Sequence, residues 1–347
     1  MGLFRSIAAG IYRAGVGVRN WLYDIGVLRS RSFEIPIVCV GNIAAGGTGK
    51  TPMVEFLVDR LGDQYKIAVL SRGYGRRSKG YREVESGDSY LLSGDEPKQL
   101  KRRFPEIPVI VCADRIEGVE RIVKEHPEVT LIIMDDGFQH RSISPKVNIV
   151  LSDYSLPPSD NRMLPAGTLR DRPSQLFRAN ILIITKTPAD MSPIERNIAQ
   201  KELRPKPFQS VFFTDVQSEN PKPLFPDKCT ARVVKGTRIV ALAGIANPEP
   251  FYRSLSERYE VLDTVRYPDH HTYRVGEVRH LAHELNRLGD DVMLVTTDKD
   301  GVKLTSRKHI PKELQSRLFT LPIAVRFRDG DEQQFLDTLK KEIENRL

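Results

Sequence analysis

The chain has 347 residues, 40% of them hydrophobic, and 53 Lys and Arg against 45 Asp and Glu, for a net charge of +8. That length suits one large domain or two ordinary ones, and the charge suits an anionic partner: a nucleotide, a nucleic acid or an acidic membrane surface. Three scattered cysteines, Cys39, Cys112 and Cys229, exclude a disulfide framework or a CxxC metal site, and no run approaches the roughly 18 apolar residues that span a bilayer.

The first predicted element is an amphipathic segment over residues 1–24. Leu3, Phe4, Ile7, Ala8 and Ile11 share one helical face and Arg5 and Arg13 the other, with Trp21, Leu22 and Tyr23 following beside Arg19. Such a segment lies on a membrane surface or packs on its own domain. Arg13 breaks the apolar stretch, which argues against a signal peptide. From residue 35, short apolar runs alternate with helical patterns. Residues 35–40, 67–70, 109–112, 131–134, 147–151 and 181–184 read as strands buried on both faces. The expected fold is α/β: a P-loop NTPase-like, mostly parallel sheet flanked by helices, over residues 25–210. Five prolines between 205 and 226 suggest a linker at 211–236. A second, smaller α/β lobe is expected over 237–347, with strands at 239–243, 261–265 and 292–296.

The first strand runs into Gly41-Asn42-Ile43-Ala44-Ala45-Gly46-Gly47-Thr48-Gly49-Lys50-Thr51-Pro52, and a helix pattern follows. Strand, glycine loop and helix are the setting of a phosphate cradle. Glycines let backbone N–H groups converge on phosphate oxygens, and the helix start adds favourable partial charge. Ala44 to Thr51 are the candidate nucleotide-binding residues, with Lys50 reaching the β- and γ-phosphates and Thr51 ligating Mg²⁺. Ala44 stands where the G-x-x-x-x-G-K-[ST] pattern has glycine. The strand at 131–134 ends in Asp135-Asp136, the place for carboxylates that organise Mg²⁺; such a pair also serves as a helix cap or turn. Gly94-Asp95-Glu96-Pro97 reads as a helix start, and Tyr267-Pro268-Asp269-His270-His271 offers a carboxylate beside a histidine.

Taken in order, these clusters resemble the tetraacyldisaccharide 4'-kinase family, the lipid A 4'-kinases of Gram-negative bacteria. Further matching stretches are Ser71-Arg72-Gly73-Tyr74-Gly75, Asp114-Arg115, Asp135 through Arg141 (DDGFQHR), Leu164 through Gly167 with Leu169-Arg170, Ala243 through Pro248, and Asp298-Lys299-Asp300. They span roughly residues 36 to 304, and the DDGFQH run is the most specific. Tyr267 stands where the family commonly has phenylalanine, and Asn247 lies in a segment that often carries a second glycine. The resemblance implies an ATP- and Mg²⁺-dependent phosphotransferase. It would act on the 4'-hydroxyl of a tetraacyl glucosamine disaccharide 1-phosphate, a membrane lipid, to give lipid IVA. It also implies a peripheral protein on the cytoplasmic face of the inner membrane, with neither nucleic acid nor an obligate protein partner. Carried over by position, Asp95 is the base and His270 its partner. Glu96, Asp135 and Asp136 join Thr51 around the metal, and Arg72, Tyr74 and Arg115 face the substrate. Asp95 and His270 fall in different lobes, so lobe closure is expected to unite them.

Two other classes compete. A GTPase would need an Asn-Lys-x-Asp motif, and Thr185-Lys186-Thr187 lacks the aspartate. A nucleic-acid-associated ATPase would suit the positive charge, but no basic run with interleaved aromatics occurs.

Overall fold

A computed structural model describes residues 2–306 and 310–345, with side chains from Phe4 onward. Met1 and the side chain of Leu3, placed above on an apolar helical face, lie outside the described residues, as do 307–309 and 346–347 of the C-terminal segment. The first lobe contributes β1 (Ile37–Asn42), β2 (Ile67–Ser71), β3 (Arg82–Glu83), β4 (Val109–Val111), β5 (Leu131–Asp135), β6 (Val147–Asp153), β7 (Ile181–Thr185) and β8 (Ser210–Ser218). Then come β9 (Lys222–Pro223), β10 (Arg238–Ala243), β11 (Glu260–Arg266), β12 (Met293–Thr297), β13 (Leu318–Leu321) and β14 (Ile323–Phe327).

Among the described residues nine strands form one sheet in the order β14-β8-β7-β6-β1-β5-β2-β4-β3. It is parallel except at its edges, where β3 and β14 run antiparallel to their neighbours. The central strands β1, β2, β5 and β7 are buried throughout, as their unbroken Val/Ile/Leu runs require when helices cover both faces. A second sheet, β11-β10-β12-β13-β9, builds the smaller lobe.

The division of the chain differs from the sequence expectation in two ways. Residues 211–236 are not a plain linker, because β8 pairs in parallel with β7 and buries Phe212 and Phe213. Nor does the second lobe extend to the end of the chain. After β13 the chain returns: β14 pairs with β8, and the helix Glu332–Glu344 places Phe335, Leu336, Leu339 and Ile343 in the same core as Met53 and Leu57. Phe56, Phe212, Phe327 and Phe335 form an aromatic cluster there, with Phe327 and Phe335 stacked at 4.6 Å. The smaller lobe is therefore an insertion between β8 and β14.

The N-terminal segment is a helix, Gly2–Asp24. Its inner face packs Tyr12 and Val16 against the first lobe. Phe4, Ile7, Ile11, Val18 and Trp21 are exposed and recur at spacings of three, four and seven residues, so they form one outward stripe. Ala8, expected on that stripe, is half-buried.

Candidate active site

The phosphate loop joins β1 to the helix Lys50–Leu61. Gly49, at the helix N-cap, has φ +88°, and no side chain caps the helix. A left-handed residue there is cheap only for glycine, and the uncapped N–H groups stay open to an anion. The loop is braced from three sides. Asn42 Nδ2 donates to Thr48 Oγ1 at 2.6 Å, Thr185 Oγ1 donates to the Thr48 carbonyl at 3.1 Å, and Arg170 N–H donates to the Ile43 carbonyl at 2.7 Å. Ala44 forms a bridge with Leu169, and the Ala45 N–H is engaged by the Thr168 carbonyl at 2.7 Å. The Ala45 amide is thus committed to the fold, as is that of Thr48 to the Gly46 carbonyl at 2.9 Å, and the rest of the loop from Gly46 to Thr51 carries the open cradle. Both alanines line a small cavity of about 90 Å³ with Gly46, Gly47 and Asp153.

Asp135 and Asp136 follow β5 and differ sharply. Asp136, at φ +49°, is gripped by Arg170, with Nη1 to Oδ2 at 2.9 Å and Nη2 to Oδ1 at 3.0 Å, and lies 3.7 Å from Lys50 Nζ. Burial alone would raise its carboxyl, but Lys50 and Arg170 hold it below the ordinary range. Asp135 is almost fully buried. Its Oδ2 accepts from Ser71 Oγ at 3.2 Å, and its Oδ1 has no partner. Burial, then the nearby Glu96 and Asp136 charges, push it up. Glu96 is pushed up by burial and by Asp95.

An orphaned buried carboxylate oxygen beside a second reluctant carboxylate suits a divalent cation, which would relieve both. Among the described residues no three His, Cys, Asp or Glu side chains converge into a metal cage. Mg²⁺ commonly takes one or two carboxylates and completes its shell with phosphates and water.

Asp95 opens the helix Asp95–Arg103 and is buried. Its Oδ2 lies 3.5 Å from His270 Nδ1 and 3.6 Å from Lys299 Nζ, both from the second lobe. The far side of the His270 ring is 3.6 Å from Asp269, and Lys299 is 3.7 Å from the same carboxylate. The two lobes thus already place the residues that closure was expected to unite within contact range. Tyr90 adds a polar link across the junction, its hydroxyl 3.2 Å from Thr272. His270 sits at φ +58°, a region rarely occupied without surrounding constraint, as does Asp136.

The predicted substrate residues separate by burial. Tyr74 is exposed, its ring 6.2 Å from that of His270, and Arg72 is exposed as well. Arg115 is fully buried. One nitrogen donates to the Cys112 carbonyl, two others have no partner, and burial pulls the guanidinium down to about 10 against the opposing pull of Asp135. Burial, with Arg115, Arg72 and Arg19, drops His140 to about 4. Arg170 and Lys299 were given no role from sequence. Both stood in matched motifs, yet nothing in their spacing reveals that one faces Asp136 and the other Asp95.

A sequence profile of the family described as Tetraacyldisaccharide-1-P 4'-kinase matches residues 3–344. Among curated proteins, the tetraacyldisaccharide 4'-kinase of Porphyromonas gingivalis is 41% identical over 338 residues, covering 95% of this chain and 94% of that protein. The tetraacyldisaccharide 4'-kinase of Bacteroides thetaiotaomicron is 35% identical over 337 residues, covering 94% and 89%. Among solved structures, the "apo" form of LpxK from Aquifex aeolicus, crystallised in complex with ATP, superposes with a TM-score of 0.74 at 27% identity, covering 96% of this chain and 97% of that one.

Proposed function

The chain belongs to the tetraacyldisaccharide-1-P 4'-kinase family, and we propose that its cleft transfers the γ-phosphoryl group of ATP to a sugar hydroxyl of a membrane lipid. It is an ATP-dependent kinase of lipid A biosynthesis. The acceptor is the 4'-hydroxyl of a tetraacyl glucosamine disaccharide 1-phosphate and the product lipid IVA. The observation that carries the residue assignments is the meeting of Asp95, from the lobe where Lys50 pairs with Asp136, with His270 and Lys299 from the other lobe.

The loop from Gly46 to Thr51 holds the phosphates, and Lys50 neutralises charge on the β- and γ-phosphates. Thr51, Asp135 and Glu96 would hold Mg²⁺, which supplies charge neutralisation on the transferring phosphoryl group. Asp136, occupied by Arg170 and Lys50, positions the lysine. Asp95 accepts the proton of the acceptor hydroxyl, and His270 orients Asp95 and carries the proton onward. A positioned base contributes typically ~10²–10⁴-fold, with orientation supplying much of the rest. Arg72 and Tyr74 line the acceptor side, whereas Arg115, fully buried, does not face it.

No described helix is long and apolar enough to cross a membrane. The enzyme rests on the cytoplasmic face of the inner membrane through the outward stripe of helix Gly2–Asp24, where the acyl chains of its acceptor are anchored. The test is ATP-dependent phosphorylation of the detergent-solubilised disaccharide 1-phosphate. Asp95→Asn should lose roughly 10²-fold or more in kcat with ATP affinity retained, and His270→Ala somewhat less. Full turnover in Asp95→Asn alongside a dead Lys50→Ala would refute the base assignment.

A further inference from the structure

Helix Gly2–Asp24 does not lie flush on its lobe. Between its inner side and the first lobe runs a groove of about 1110 Å³, reached from Ser6, Ala9, Gly10 and Arg13 on the helix. The groove has a two-part character. Arg13, Arg162, Arg172, Arg204 and Lys206 line it against a single carboxylate, Glu202. None of Arg13, Arg162, Arg204 or Lys206 shows an ion pair among the described residues. The floor is apolar, with buried Met163, Leu176 and Leu203 and the half-exposed Phe177. Arg172 is fixed across the helix: it donates to the Arg13 carbonyl at 3.0 Å, and a side chain at Gly17 would overlap its guanidinium. Its Nε is buried without a partner.

Five cations over an apolar floor match one class of ligand, a molecule with an anionic phosphate at one end and hydrocarbon at the other. Lys50, Asp95, Asp135 and His270 are not among the lining residues, so this is not the catalytic cleft. We propose that the groove binds an anionic phospholipid of the bilayer on which the helix lies. The headgroup phosphate sits against the arginine rim and the upper part of an acyl chain on the Met163–Phe177 floor. This rests on the membrane reading of the helix, and it adds a lipid preference that the outward stripe cannot supply. An apolar stripe enters neutral and anionic bilayers alike, whereas basic residues near an anionic surface each contribute about fivefold in binding.

The experiment compares binding of the full chain to vesicles of phosphatidylcholine with and without phosphatidylglycerol, with no acceptor lipid present. The expected result is at least tenfold tighter binding of wild type to the phosphatidylglycerol vesicles. The Arg162→Glu/Arg204→Glu variant should lose that preference, keep its affinity for phosphatidylcholine, and keep its kinase activity on detergent-solubilised acceptor. A stripe variant, Phe4→Ser/Ile11→Ser, should instead weaken binding to both vesicle types. If both vesicle types bind the stripe variant as wild type does, the membrane reading itself fails. If the arginine variant retains the full phosphatidylglycerol preference, or wild type shows none, the groove proposal is overturned. It is equally overturned if the arginine variant loses binding to a single-stranded oligonucleotide while its vesicle preference is unchanged, which would mark the groove as a nucleic-acid site.

Discussion

Asp135 and Asp136 are chain neighbours with opposite electrostatics. Asp136 gives its oxygens to Arg170 and Lys50, while Asp135 keeps one buried oxygen unpartnered and shares its surroundings with Glu96. In sequence the pair reads as a metal-side motif. The split between them is not legible there, because it depends on Ser71 and Arg170, which only the fold brings near. A measurable consequence follows from the raised carboxyls. Asp135 is pushed up to about 7 and so exchanges a proton around neutral pH, which a metal ion held there would displace. Binding of Mg²⁺-ATP should release protons, and calorimetry in buffers of different ionisation enthalpy should detect them. Asp135→Asn should greatly reduce the release. An unchanged release in that variant would mean that the proton resides elsewhere.

At the scale of elements, the phosphate-loop helix Lys50–Leu61 and the helix Asp95–Arg103 are tied by a buried carboxylate. Glu55 accepts from Gln99 Nε2 at 2.9 Å and pairs with Arg103 at 2.9 Å. Burial pushes Glu55 up to about 7, with Arg103 and Gln99 pulling the other way. Its folded-state value is raised, so its contribution to stability is complete in acid, below the ordinary glutamate range, and is lost as pH rises through about 7. Thermal melts across that window should show wild type losing stability relative to Glu55→Gln as pH rises, and a constant difference would contradict the assignment. The helices and buried strands were readable from their periodicity. β8 was not: Pro205 and Pro207 precede it, and its second half, Asp215 to Ser218, is mostly polar, partly exposed and paired with the edge strand β14.

For the whole molecule, the two lobes were visible in the run of strands, but the discontinuity of the first was hidden. No local pattern announces that Ser218 pairs with Ile323 across an inserted domain. The last helix is therefore part of the nucleotide lobe's core. Leu339→Ala, at a fully buried position, should cost about 2–5 kcal/mol in denaturant unfolding and weaken ATP binding through the helix that begins at Lys50. A loss confined to the second lobe would speak against this architecture.

The same return has a meaning in time. A chain made from its N-terminus exposes the phosphate loop early, and domains generally fold as units while synthesis proceeds. Here the smaller lobe has all its strands once Leu321 has emerged. The larger sheet still lacks its edge strand β14, and Phe56 still lacks Phe327 and Phe335. The segment translated early is completed late, so the growing chain holds a finished smaller lobe before it holds a finished nucleotide lobe.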